Sequence, residues 1–180
     1  LPLNSLQTGP VHLNIQFEEP LIGDDDESWL DQLVVTPTRI FTRKSAGTLH
    51  TKSTRGVLVI GHDRGGLPLA AVEEFAQELG WPIITEDPLS FPKAIAHASI
   101  FLNSKAIAED LKPDTVVIIG RTTLSRPVNS FIKLARREIV IDPRIATVDS
   151  DRLAAQRFTQ LPSLSVLPAD NEFCEKWQKY

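Results

Sequence analysis

Two loops carry most of the side chains that could do chemistry. The first, Gly61-His62-Asp63-Arg64-Gly65-Gly66, follows a solid apolar run, Val57–Ile60. Its outer glycines match the first and last of the pattern G-x-G-x-x-G, in which backbone N–H groups and a helix N-terminus cradle a pyrophosphate. Asp63 stands where the middle glycine belongs, and a carboxylate there is too bulky for the backbone to approach a phosphate and carries the wrong sign. Glu86 and Asp87 end the next apolar run, where an acid that binds ribose belongs. The loop therefore reads as a tight turn in a fold whose nucleotide site has been lost. A nucleotide-dependent oxidoreductase using NAD or FAD is the alternative that those two acids keep open.

The second loop is Gly120-Arg121-Thr122-Thr123-Leu124-Ser125-Arg126-Pro127, between another apolar run and a helix start. The guanidiniums of Arg121 and Arg126, with the hydroxyls beside them and free N–H groups at the helix start, suit an anion such as a carboxylate or phosphate. Arg121, Arg126 and Ser125 are thus a candidate anionic effector site. The competing expectation is that Ser125 only caps the helix and the arginines pair with nearby acids.

Other chemistry finds no constellation. His12, His50, His62 and His97 lack metal-type spacing, and neither H-E-x-x-H, G-x-S-x-G nor G-x-x-x-x-G-K-[ST] occurs. No catalytic, cofactor-binding or metal-binding residue is assigned. The single Cys, Cys174, permits no internal disulfide and fits a reducing cytoplasm. Net charge is −4 and the basic residues are scattered, which argues against nucleic acid. No apolar run approaches the ~20 residues of a membrane span, and Leu1–Pro10 does not resemble a signal peptide. The acidic run Asp24–Glu27 reads as a solvated turn. There is no Met among the 180 residues, as expected if the start was trimmed or the chain is a piece of something longer.

These loops need a scaffold, and the hydrophobic pattern supplies one. Val11, Leu13, Ile15 and Phe17 alternate with polar residues, which predicts a strand over Val11–Phe17. From Glu27 to Arg55 the pattern is weak and reads as a connector. Then Val57–Ile60, Trp81–Ile84, Thr115–Ile119 and Glu138–Ile141 are apolar runs alternating with helical periodicity over Leu67–Leu79, Ala98–Leu111 and Ser125–Arg136. Gly80 closes the first of those helices. Such runs require a parallel sheet buried on both faces, so the predicted fold class is α/β, a doubly wound, mostly parallel sheet with helices on both faces. Leu153–Phe158 and Leu164–Leu167 read as short edge strands, and Asn171–Tyr180 as the opening of another helix.

With the elements in place, two motifs point to a family. Gly9-Pro10-Val11-His12-Leu13-Asn14-Ile15-Gln16-Phe17-Glu18-Glu19-Pro20-Leu21 resembles the segment by which thiamine-diphosphate enzymes leave their N-terminal pyrimidine-binding domain, G-P-V-h-l-n-v-p. Its F-x-E-P-L ending is similar to that of one branch, the 2-succinyl-5-enolpyruvyl-6-hydroxy-3-cyclohexene-1-carboxylate synthases of menaquinone biosynthesis. Gly120-Arg121-Thr122-Thr123-Leu124-Ser125-Arg126-Pro127-Val128 is similar to the motif G-R-x-T-L-S-R-P-V in the central domain of the same branch. The resemblance covers nearly the whole chain and fades after about Ile145.

The resemblance implies a Rossmann-like central domain without chemistry of its own. Residues 1–23 would be the exit strand of a preceding pyrimidine-binding domain, 24–55 a linker, 56–168 the central domain, and 169–180 the start of a connection to a missing C-terminal, diphosphate-binding domain. The parent enzyme would bind thiamine diphosphate and Mg²⁺ or Mn²⁺, decarboxylate 2-oxoglutarate and add the succinic-semialdehyde unit to isochorismate. It would work in the cytoplasm as a homodimer or homotetramer. Its activating Glu and its G-D-G…N metal motif belong to the flanking domains. Gly23-Asp24-Asp25 only superficially resembles the latter and has no Asn at the expected distance. No cofactor is expected in this fragment, which should be inert alone. The effector at Arg121, Arg126 and Ser125 would then be a pathway product such as 1,4-dihydroxy-2-naphthoate.

Overall fold

Val57–Ile60 and Val116–Ile119 are each without solvent access, because side chains that alternate across a strand find an apolar layer on both faces of the sheet. The computed structural model describes residues 47–121, 123–144 and 154–180, all within one unit, Arg43–Tyr180. The expected strand Val11–Phe17, the acidic run Asp24–Glu27 and Thr122 lie outside the described residues.

The described elements are β1 (Thr48–Thr51), β2 (Gly56–Ile60), α1 (Leu69–Leu79), β3 (Ile83–Thr85), α2 (Ala98–Phe101), α3 (Lys105–Asp110), β4 (Thr115–Ile119), α4 (Arg126–Ile132), β5 (Arg137–Ile141), β6 (Gln156–Phe158), β7 (Ser163–Val166) and α5 (Asn171–Trp177). Five strands form one parallel sheet in the order β3-β2-β4-β5-β6. The doubly wound α/β expectation is met. Val57, Val59, Val116, Ile118 and Val140 face a layer containing α2, α3, α4 and α5. Leu58, Ile60, Val117, Ile119, Ile139 and Ile141 face α1. The chain order reverses direction at β2 and β4, the neighbours between which an open α/β sheet places its ligand crevice.

Several local readings change. The expected helix Ala98–Leu111 is two helices, because Ser104 takes an extended conformation as the N-cap of α3. Asn and Ser compete with helix through their own backbone contacts and favour such breaks. The second strand begins after Pro82, whose carbonyl accepts from Leu58 N, and runs to Thr85, while the Trp81 ring covers Gly56 so closely that a Cβ there would overlap it. The weakly patterned stretch before Arg55 contains β1, which pairs in parallel with β7 to make a separate two-stranded sheet; β7 is therefore not an edge of the main sheet. Residues Asn171–Trp177 are an integral helix. Asp170 caps it by accepting from Phe173 N, and Phe173 and Trp177 are buried against the sheet. Trp177 meets Phe131 edge-on at 5.4 Å.

Candidate functional site

The strand register decides which residues meet beyond the sheet. Thr85, Ile60 and Ile119 are level across β3, β2 and β4, and Ile119 is level with Ile141 of β5. The residues that follow, Glu86, Gly61, Gly120 and Asp142, therefore form one row along the carboxyl edge. Gly61 N donates to Ile119 O at 3.0 Å and Gly120 N to Ile141 O at 3.0 Å, so the ladder extends one residue into the loops.

At the two inner positions of this row only glycine fits. A Cβ on Gly61 would overlap the Arg121 carbonyl oxygen, and one on Gly120, at φ 77°, would overlap the carbonyl oxygen of Asp63. Arg121 N donates to that same Asp63 oxygen at 3.0 Å. The glycine pattern read from the sequence thus serves the close approach of two loops.

Asp63, the residue that breaks the G-x-G-x-x-G pattern, anchors these loops. Its Oδ1 accepts from Gly65 N at 2.9 Å and its Oδ2 from Arg144 Nη1 at 2.6 Å, with Arg121 Nε 3.8 Å away. Arg144 also reaches the fully buried Asp142 through Nη2 at 2.9 Å. The Arg144 hydrogen bond, helped by Gly65 N–H and opposed by partial burial, holds the Asp63 carboxyl down to about 2. Arg144 is pushed above its ordinary value, first by its hydrogen bond to Asp142 and then by the one to Asp63. Where a phosphate would sit at the switch point, the chain places its own carboxylate, already paired.

A second set of contacts ties in β3. Arg64 Nη1 donates to Asp87 Oδ2 at 3.1 Å and the guanidinium lies 5.7 Å from the Phe91 ring centroid. Contacts to Ser90 first, then to Arg64, hold Asp87 below the usual carboxylate range. Glu86 Oε1 accepts from Leu124 N at 2.6 Å, and Glu86 Oε2 lies 3.5 Å from His62 Nδ1. Asp87 and one carboxyl oxygen of Glu86, the acids read as candidate ribose ligands, are therefore taken by neighbouring loops.

Of the expected anion site, Ser125 and Arg126 lie at the start of α4, whereas Arg121 follows β4 and faces Asp63. Ser125 is the N-cap of α4, its hydroxyl accepting from Val128 N at 3.4 Å, while Ser125 N donates to Thr123 Oγ1 at 3.0 Å. Leu124 N is taken by Glu86 and Pro127 has no N–H, so few donors remain at this helix end. Arg121 is half-exposed beside Asp63. Arg126 is exposed and makes no ion pair among the described residues.

Missed from the sequence is a cleft of about 630 Å³ beside this row, between the β3–α2 segment and the start of α4. His62, Glu86, Phe91, Ile95, Ser99 and Val128 are among its lining residues. Among the described residues no three of His, Cys, Asp and Glu gather in a set able to hold a metal ion. With Asp63 and Asp142 both paired to Arg144, the described residues do not fit a metal–diphosphate group. No described helix is long and apolar enough to cross a membrane.

This parallel sheet, with its glycine-tight and ion-paired carboxyl edge, can be set beside known proteins. A family model described as the middle domain of thiamine pyrophosphate matches residues 23–177. The chain belongs to this middle-domain family. Curated relatives of the middle domain include 2-succinyl-5-enolpyruvyl-6-hydroxy-3-cyclohexene-1-carboxylate synthases. That of Saccharopolyspora erythraea is 28% identical over 185 residues, covering 95% of this chain and 32% of its own length. Those of Nocardioides sp. and Geobacillus thermodenitrificans are 33% and 30% identical, covering 77% and 74% of the chain and 25% and 26% of their own lengths. The middle domain spans about a third or less of these relatives. The resemblance drawn from Gly9–Leu21 and Gly120–Val128 is borne out.

Proposed function

We propose that the chain is the central scaffold domain of a 2-succinyl-5-enolpyruvyl-6-hydroxy-3-cyclohexene-1-carboxylate synthase and performs no chemistry alone. The parent would bind thiamine diphosphate with Mg²⁺ or Mn²⁺ in its pyrimidine- and diphosphate-binding domains, the cofactor serving to activate 2-oxoglutarate for decarboxylation and addition to isochorismate. It would work in the cytoplasm as a homodimer or homotetramer. The carrying observation is that relatives bearing this name match up to 95% of the chain. The paired carboxyl edge supports the scaffold role, since Asp63, Asp87 and Glu86 each bind a neighbouring loop and Asp142 holds the Arg144 that reaches Asp63. In this reading residues 1–23 leave the preceding domain, 24–55 link it, 56–168 form the scaffold and 169–180 lead towards the next. Calorimetry of the purified chain with thiamine diphosphate and Mg²⁺ should give no binding heat; saturable heat would overturn the scaffold reading.

A second reading makes Arg121, Ser125 and Arg126 an effector site for a carboxylated aromatic product such as 1,4-dihydroxy-2-naphthoate. Arg126, exposed and without an ion pair among the described residues, favours it. In the full-length enzyme Arg126→Ala should relieve inhibition by that acid while basal turnover stays the same. Unchanged inhibition would remove the reading.

A further inference from the structure

The cleft beside Glu86 has the size of a small-molecule site, and Thr123, Leu124 and Ser125 of the arginine loop line one side of it. Ligand pockets run roughly 300–1,000 Å³ with mostly apolar walls and few polar groups, and this one, about 630 Å³, is walled by Ile84, Phe91, Ile95, Ala98 and Val128. Its polar end is His62 and Glu86. Glu86 Oε1 is held by Leu124 N–H, while Oε2 is buried and accepts no hydrogen bond among the described residues, with His62 Nδ1 3.5 Å from it. A carboxylate so placed favours the His62 tautomer with its proton on Nδ1, which leaves Nε2 as an acceptor. No hydrogen bond engages His62 Nε2 among the described residues. The Glu86 charge in an apolar wall also disfavours a second anion in the cleft. One wall is held in an unusual conformation as well, since His97, at the start of α2, has φ 57°.

We propose that this cleft binds a small, uncharged, ring-shaped apolar molecule that donates a hydroxyl or ring N–H hydrogen bond to His62 Nε2, with Glu86 as the positioning residue for the imidazole. The cleft belongs to the chain whatever reaction its parent performs, and its occupancy is read by chemical shift rather than turnover. The test titrates the 180-residue chain with 2-naphthol and, separately, with the anionic 2-naphthoate, following backbone amides by proton–nitrogen correlation NMR. Saturable shifts should centre on His62, Glu86, Ser99 and Leu124 with 2-naphthol, and 2-naphthoate should bind more weakly. His62→Phe keeps ring volume but removes the acceptor, and should weaken 2-naphthol by about three- to tenfold, the worth of one hydrogen bond. Ser99→Leu, on the exposed rim, should block the cleft with His62 intact, and tests the site if His62→Phe fails to fold. Glu86→Gln should change the ring-nitrogen shifts of His62, which a purely structural Glu86 would leave alone. Absence of saturable shifts at the cleft, equal or tighter binding of 2-naphthoate, or full affinity in both His62→Phe and Ser99→Leu would overturn the proposal.

Discussion

Asp63 Oδ2 lies 2.6 Å from Arg144 Nη1, and this contact joins the loop after β2 to the loop after β5 across the intervening β4. Arg144 in turn holds the buried Asp142, so the carboxyl ends of β2 and β5 share one ion-paired cluster, with Arg121 after β4 lying 3.8 Å from Asp63. Neutralising either acid would leave Arg144 with one carboxylate partner fewer.

The cluster makes stability depend on acid. The Asp63 carboxyl is lowered from 3.8 to about 2 in the folded chain, so its contribution is complete above about pH 4 and is lost as the pH falls from 3.8 towards 2. Asp63 is well exposed, and screening reduces that contribution to about 1 kcal/mol. Urea unfolding between those pH values should therefore show a shallower pH dependence for Asp63→Asn than for the parent chain. Superimposable profiles would count against the Asp63–Arg144 contact.

Gly61 tests the loop approach. Gly61→Ala must push the Arg121 carbonyl away and should destabilise the chain by about 3 kcal/mol. Gly66→Ala is the informative comparison: a Cβ there meets nothing within 4 Å, but φ is 80°, so only local backbone strain of about 1 kcal/mol is expected. Equal losses in the two variants, by chemical denaturation, would contradict the packing described for Gly61.

Much of the sheet was legible because β2, β4 and β5 are apolar on both faces, and the helix α1 because Val72, Phe75, Ala76 and Leu79 recur at helical spacing before Gly80. β1 was not, since Thr-Leu-His-Thr buries Leu49 against a partner more than a hundred residues away and shows no apolar run. The candidate site divides in the same way. Ser125 and the glycines announce caps and turns locally, but His62 and Glu86 meet only because β2 and β3 are parallel neighbours with Ile60 level with Thr85. That register could have been guessed by aligning the ends of the two apolar runs. Arg144, by contrast, follows the fourth strand after Asp142-Pro143, and nothing in its immediate sequence marks it as the partner of Asp63.

The terminal helix gives a third prediction. Trp177 is buried among Phe101, Phe131 and Phe173, so Trp177→Ala should cost about 3–5 kcal/mol. Thermal or urea unfolding would read it, and a loss under about 1 kcal/mol would mean that α5 does not belong to the core.

The Asp63 carboxylate at the switch point, held by Arg144, opposes a pyrophosphate there by its charge. Titration of the chain with NADH or FAD should leave ligand fluorescence unchanged, whereas a saturable change would restore the oxidoreductase alternative.

We propose that this middle domain serves a thiamine-diphosphate carboligase whose chemistry lies in flanking domains. The most direct test is turnover of 2-oxoglutarate with isochorismate, in the presence of thiamine diphosphate and Mg²⁺, by the product of the entire reading frame that contains this chain, with the 180-residue chain assayed alongside. The account predicts carboligation by the former and none by the latter; no turnover by the full product, or turnover by the 180 residues alone, would contradict it.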